Sequence, residues 1–230
     1  FVFGFLLLRT VFSSLTDHPD RVTNLPSAPK EPTFPMYAGF LTATDNNIEH
    51  KLFYELCESI RSDPMDSPLL IWLNGGPGSS SLYAFLLSHG PYRLDVETVQ
   101  LKYNEFSWNQ YANVLYLESP SGVGFSHSNT TNNHIYNDIT TARINRKAIE
   151  DFMTRVHPRY ATRDFYITGE SYAGVYIPYL AREILNHSKS GEFTNMNIKG
   201  IAMGNAHIDN FSDQIASGLQ LYSMGMIPQK

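Results

Sequence analysis

Phe165-Tyr166-Ile167-Thr168 is an apolar, β-prone run that passes without a linker into Gly169-Glu170-Ser171-Tyr172-Ala173-Gly174 and then into a helical pattern. A strand that becomes a helix within so few residues constrains this chain more than any other feature. The turn is tight, so the positions two before and two after the serine must be small. Gly169 and Ala173 meet that demand, with Gly174 alongside. A serine at such a turn is exposed and strained, and a base can reach its hydroxyl.

A second run, Leu69-Leu70-Ile71-Trp72-Leu73, empties into Asn74-Gly75-Gly76-Pro77-Gly78-Ser79-Ser80-Ser81. Glycines there let backbone N–H groups approach a ligand closely. In sheets that carry a serine turn of this kind, the loop after the third strand gives one oxyanion donor and the residue after the nucleophile gives the other. The backbone N–H groups of Gly76 and Tyr172 are therefore the candidate donors.

Val114–Leu117 and Ile198–Met203 are two further strand candidates. Between strands, Ile139, Ala142, Ile149, Phe152, Met153 and Val156 mark one face of a helix, and a second helix is predicted from Tyr172 to Leu185. That helix points its N-terminus at Ser171, where its dipole favours developing negative charge. Strands separated by helical stretches predict an α/β fold with a mostly parallel sheet and flanking helices. Upstream, His18 to Pro35 reads as loop. Tyr37 to Thr44, Asp45-Asn46-Asn47 and Leu52-Phe53-Tyr54 read as a hairpin.

The 230 residues suit one domain, and 42% of them are hydrophobic, enough for a substantial core. A net charge of −5 with no basic cluster excludes a nucleic-acid footprint. Cys57 is the single cysteine, so no intrachain disulfide forms; it reads as a small buried residue on a helix-like stretch. Asp45-Asn46-Asn47 and Asp63 do not make a calcium loop, and no ligand spacing for another metal is present. Residues 1–16, rich in Phe and Leu, are too short to span a bilayer and read as the remnant of a secretory signal. Residues 17–230 form the domain. Asn129, Asn186 and Asn210 head sequons that permit glycosylation.

Trp72 to Gly78 and Gly169 to Gly174, continued by Val175-Tyr176-Ile177-Pro178, resemble the serine carboxypeptidases. Asn113 to Ser126, Tyr37-Ala38-Gly39, Ser107-Trp108-Asn109 and Gly204-Asn205 with Asp209 agree, so the resemblance spans about residues 20–227. It implies the α/β-hydrolase fold, a peptide substrate, no cofactor, and Ser171 as the nucleophile of an acyl-enzyme. It implies that Asn74 and Glu170 bind the substrate's C-terminal carboxylate. A carboxyl holds a carboxylate only when the pair shares a proton, which favours acidic pH. It also implies a secretory destination, extracellular or lysosomal/vacuolar. Two departures stand out: Ser79 occupies the family's loop cysteine and Ser88 its second glutamate. His89 beside Ser88 reads as a surface residue. Relatives with the same scaffold resemble acyltransferases and hydroxynitrile lyases.

A serine nucleophile needs a histidine base and an acid to orient it, in the order Ser, Asp or Glu, His. After Ser171 only His187 and His207 occur, and Asp209 and Asp213 follow both. His187 reads as exposed at a helix end, and His207 as a hydrogen-bonding loop residue. The triad's Asp and His are thus expected elsewhere. Three readings stay open: a fragment lacking the C-terminal part of the sheet, one chain of a two-chain enzyme, and an inactive binding or protective protein. An unpaired last strand predicts poor solubility for the chain alone.

Overall fold

The computed structural model describes residues 18–29, 32–130, 136–191, 193 and 197–228. The signal-remnant reading of residues 1–16 lies outside them.

β1 (Met36–Asp45) and β2 (Ile48–Cys57) form the expected hairpin, longer than its apolar core announced. Asn46 and Asn47 turn it with φ of 49° and 64°, a left-handed pair that asparagine tolerates and that matches strand twist. β3 (Leu69–Leu73) follows, then a short helix α1 (Leu82–Leu87). A small hairpin comes next, β4 (Tyr92–Asp95) and β5 (Gln100–Tyr103). β6 (Asn113–Leu117) and the two-residue β7 (His127–Ser128) lead into α2 (Asp138–Asp151), which continues as a π-helical turn to Val156. β8 (Phe165–Glu170) runs into α3 (Ala173–Ser190), and β9 (Ile198–Gly204) into α4 (Asn210–Ser223).

The main sheet has the order β1-β2-β6-β3-β8-β9, with β7 against β2. β6, β3, β8 and β9 are parallel neighbours, while β1 and β2 run antiparallel. Period-two alternation divides the core between the two faces. Leu69, Ile71, Leu73, Leu115, Leu117 and Ile167 pack under α2 and α3. Trp72, Val114, Tyr116 and Cys57 pack on the opposite face, with Phe85 of α1 and the β4–β5 hairpin. Cys57 is fully buried, as the sequence indicates, but it closes a strand rather than lying in a helix.

β9 ends the sheet among the described strands. Ile201 on it, and Phe211, Ile215, Leu219 and Tyr222 on α4, are exposed. No described helix is long and apolar enough to cross a membrane.

Burial moves carboxyl and imidazole groups in opposite directions. Glu55 on β2 is 6% exposed with one carboxyl oxygen unpartnered, and burial pushes it up to about 8 from the ordinary 4.5. Burial lowers His89 to about 4, and burial together with the charges of His18 and Arg159 lowers His157 to about 3, both from 6.5. Each histidine contributes stability above pH 6.5 that is lost as pH falls towards its folded value. The glutamic acid contributes stability below pH 4.5 that is lost as pH rises to about 8. Each group gives a slope of about 1.4 kcal/mol per pH unit. Between pH 4.5 and 6.5 the rising contribution of the two histidines opposes the falling contributions of Glu55 and of Glu58, whose carboxyl burial also raises; above pH 6.5 the histidine contribution is complete. Unfolding by urea at a series of pH values should therefore show stability falling from pH 6.5 to 8, and Glu55→Gln should reduce that decline. A wild-type profile that is flat over that interval would contradict this assignment.

Candidate functional site

β3 and β8 pair in parallel with Leu73 opposite Gly169, so the loops that follow them leave the sheet at the same level. Ser171 occupies the first position after β8 with φ of 62°. That is left-handed backbone, costly for a residue with a side chain and held only where surroundings impose it. Here they do. Ser171 N–H donates to Gly204 O at 3.0 Å, and Ser171 O accepts from His207 N–H and Gly174 N–H, each at 2.9 Å. The end of β9 and the loop after it thus clamp the turn. Gly169 has no room for a side chain, since an added Cβ would lie 2.3 Å from Leu73 O and 2.7 Å from the Ala173 Cβ. The small-residue rule read from sequence has this physical origin.

The glycine loop packs onto the same turn. A Cβ on Gly75 would lie 2.4 Å from Tyr172 N, 2.7 Å from Glu170 O and 2.9 Å from Ser171 Cβ. Gly75 is buried, whereas Gly76 is exposed with φ of 112°. Ser81 fixes the start of the loop: its hydroxyl accepts from Asn74 N–H at 3.1 Å and donates to Leu117 O at 2.6 Å. Glu118, fully buried at the end of β6, accepts from the Ser80 hydroxyl and from Phe125 N–H at 2.7 Å. Sequence reasoning gave no role to Ser80, Ser81 or Glu118. The signal was present in the match of Asn113 to Ser126, but nothing local said that this acid reaches across to the glycine loop.

Asn74 is 7% exposed, and its side-chain oxygen accepts from Trp72 Nε1 at 2.7 Å. That bond turns the amide so that its NH2 remains available as a donor. Glu170 ends β8, half-buried, one residue before Ser171 and one beyond the Leu73–Gly169 pair. Tyr172 is half-buried; its ring lies edge-on to Tyr176 at 5.1 Å and stacks on His207 at 5.9 Å. The structure therefore gathers Asn74, Gly76, Glu170, Ser171 and Tyr172 at one end of the sheet, on two adjacent loops.

The histidines fall differently. His89 is a correction: it is 7% exposed, not a surface residue. Its ring stacks on Trp108 at 4.0 Å, meets Trp72 edge-on at 4.3 Å, and its Nδ1 pairs with the Tyr116 hydroxyl at 3.1 Å. These partners come from three distant segments, which a local reading of Ser88-His89-Gly90-Pro91 cannot supply. Ser88 itself is exposed at the end of α1. His187 is half-buried near the end of α3, with Nδ1 on Glu183 O at 2.8 Å. His207 has the hydrogen-bonding role expected of it, through its backbone to Ser171 and its Nδ1 to Asp213 Oδ2 at 2.6 Å. Asn129, Asn186 and Asn210 are exposed, but the Ser188 hydroxyl of the second sequon is buried. Among the described residues no group of His, Cys, Asp and Glu is placed to hold a metal.

A profile of the serine carboxypeptidase family matches residues 26–230. The chain is 43% identical over 186 residues to the lysosomal protective protein of Mus musculus, covering 81% of this chain and 37% of that protein. It is 40% identical over 230 residues to serine carboxypeptidase 24 of Arabidopsis thaliana, covering 97% and 49%. The crystal structure of Kex1(delta)p, a prohormone-processing carboxypeptidase from Saccharomyces cerevisiae, superposes with a TM-score of 0.76 at 27% identity, over 86% of this chain and 44% of that one. The chain thus spans half or less of the length of these proteins.

The tight approach of Gly75 yields a stability test. Gly75→Ala should destabilise the fold by about 2 kcal/mol or more, because a backbone contact cannot yield. Gly218→Ala on α4, with nothing near its Cβ position, should stabilise by about 0.5–1 kcal/mol. Thermal melts of both variants read the contrast, and similar melting points would argue against the packed loop.

Proposed function

The chain belongs to the serine carboxypeptidase family and has the α/β-hydrolase fold, and from that premise we propose that it forms the nucleophile-bearing part of a serine-type carboxypeptidase. The observation that carries this reading is the left-handed Ser171 at a strand-to-helix turn with the glycine loop packed against it. Ser171 Oγ attacks the last peptide carbonyl. Its proton passes to a histidine base, and the carbonyl oxygen becomes an oxyanion facing the N–H groups of Gly76 and Tyr172. Each such donor typically lowers the barrier by about 3–4 kcal/mol. The C–N bond then breaks, the amine leaves with the proton, and water hydrolyses the acyl-enzyme on Ser171. The oriented NH2 of Asn74 and the carboxyl of Glu170 hold the leaving residue's carboxylate.

We assign the base to neither described histidine that follows Ser171, because His187 and His207 both precede Asp209 and Asp213, the reverse of the acid-then-histidine order of this fold. We assign the base and its orienting acid to polypeptide beyond this chain's span, either a further segment or a second chain. The exposed apolar surface of β9 and α4 suits the docking of that polypeptide. A secretory, extracellular or lysosomal/vacuolar setting fits the family, and Asn129 and Asn210 are the sequon asparagines best placed to carry glycans.

The test uses a protein that includes the complementary polypeptide. A peptide acid should lose its C-terminal residue, and Ser171→Ala should abolish this by about 10⁴-fold or more. Recognition by a shared proton predicts that KM for peptide acids rises between pH 4 and 8, while KM for the matching peptide amides does not. Ester formation with an added alcohol in preference to hydrolysis would identify an acyltransferase instead. Peptide binding without turnover would identify a binding protein and overturn the enzymatic reading.

A further inference from the structure

Glu118 carries a fully buried carboxyl group one residue past the end of β6. Its backbone N–H donates to Phe53 O at 3.0 Å, and its carbonyl accepts from the Ser126 hydroxyl at 2.8 Å. The chain then turns back on itself through residues 120–126. Val123 N–H donates to Pro120 O at 3.1 Å, Ser126 N–H to Val123 O at 2.9 Å, and Gly122 N–H to Ser126 O at 2.7 Å. The Glu118 side chain lies against this turn. Its Oε2 accepts from Phe125 N–H at 2.7 Å, and a Cβ added to Gly124, whose φ is 54°, would fall on the carboxyl group. The turn thus fixes where the carboxyl sits.

The other carboxyl oxygen reaches the glycine loop. Glu118 Oε1 accepts from the Ser80 hydroxyl, and that hydroxyl accepts from Leu82 N–H at 3.1 Å. Next to it, the Ser81 hydroxyl donates to Leu117 O and accepts from Asn74 N–H. The far half of the glycine loop is therefore fastened to the end of β6, while Gly75 rests on the Ser171 turn. Gly76 lies between these fastenings. Its φ is 112°, and a Cβ there would lie 2.7 Å from both Gly78 N and Ser79 N. Ser79 N–H donates to Gly75 O at 3.1 Å, so Gly75-Gly76 and Ser79-Ser80 move as one turn. A shift at Ser80 redirects the Gly76 N–H.

We propose that Glu118 is a positioning residue for the oxyanion site: through Ser80 it holds the Gly76 N–H where the developing oxyanion needs it. The proposal rests on reading Ser171 as the nucleophile and Gly76 as a donor. A buried hydrogen bond to a carboxyl is costly to leave unmade, so the contact resists loss. Glu118 acts through the loop and not on the substrate. Breaking the contact weakens an interaction that matters most in the transition state, so kcat falls while KM holds.

The test uses protein that includes the complementary polypeptide. Its two readouts are steady-state cleavage of a peptide acid and phosphonylation of Ser171 by an alkyl fluorophosphonate. Ser80→Ala should lower kcat and the phosphonylation rate by about 10-fold or more, as a misplaced oxyanion donor does, with KM within about twofold of wild type. Ser80→Thr keeps the hydroxyl and should restore most of both rates. Gly124→Ala displaces the carboxyl without touching the glycine loop. It should reproduce the Ser80→Ala loss and add nothing to it in the double variant. Gly122→Ala strains the same turn, at φ of 98° with nothing near its Cβ position, and should keep the wild-type kcat. Unchanged kcat in Ser80→Ala, a loss that falls on KM instead, additive effects of Ser80→Ala and Gly124→Ala, or an equal loss in Gly122→Ala overturns the positioning role while the enzymatic reading stands. A wild-type protein that neither cleaves the peptide nor takes the phosphonate fails at the nucleophile, and the positioning role falls with it.

Discussion

The parallel pairing of β3 with β8 is the constraint on which the site depends. Because Leu73 stands opposite Gly169, two loops leave the sheet side by side, and Gly75 can rest on the backbone of the serine turn. The turn is strained, since a non-glycine residue at φ of 62° costs about 1 kcal/mol or more. The end of β9 and the loop after it offset this with the Ser171–Gly204 and His207–Ser171 backbone bonds. The Ser171 turn is thereby held by backbone geometry.

Around that axis the sheet's two faces take different work. On one, Trp72, His89, Trp108 and Tyr116 form an aromatic block behind Asn74, the group assigned to the leaving residue's carboxylate. On the other, α2 and α3 build a tyrosine-lined pocket that includes Asp138. The period-two alternation of β3 generates this division, sending Trp72 one way and Ile71 and Leu73 the other.

Much of this was legible in the sequence where local chemistry decides. β3, β6, β8 and β9 follow from apolar runs that end near glycine or proline, and the buried face of α2 follows from its spacing except at Ile139, which is 55% exposed. The serine turn is legible because sterics restrict its neighbours. The β4–β5 hairpin was not, since Val96-Glu97-Thr98-Val99 carries no turn residue; it turns through Val99 at φ of 55° and through Asp95 Oδ1, which accepts from Glu97 and Thr98 N–H. α1 is too short to show a period, whereas α4 carries Phe211, Ile215, Leu219 and Tyr222 at helical spacing, a signal the sequence offers and the reading passed over. His89 and Glu118 were misread or passed over because the groups that bury and bond them are distant in the chain.

The central claim is that the Ser171 turn and the glycine loop together shape a site for an oxyanion. Its most direct test is a crystal structure of the alkylphosphonyl adduct on Ser171, prepared from protein that includes the complementary polypeptide. The account predicts one phosphonyl oxygen at about 2.7–3.1 Å from the backbone nitrogens of both Gly76 and Tyr172, with Ser171 still left-handed. An adduct whose oxygen faces solvent, or contacts neither nitrogen, would contradict it.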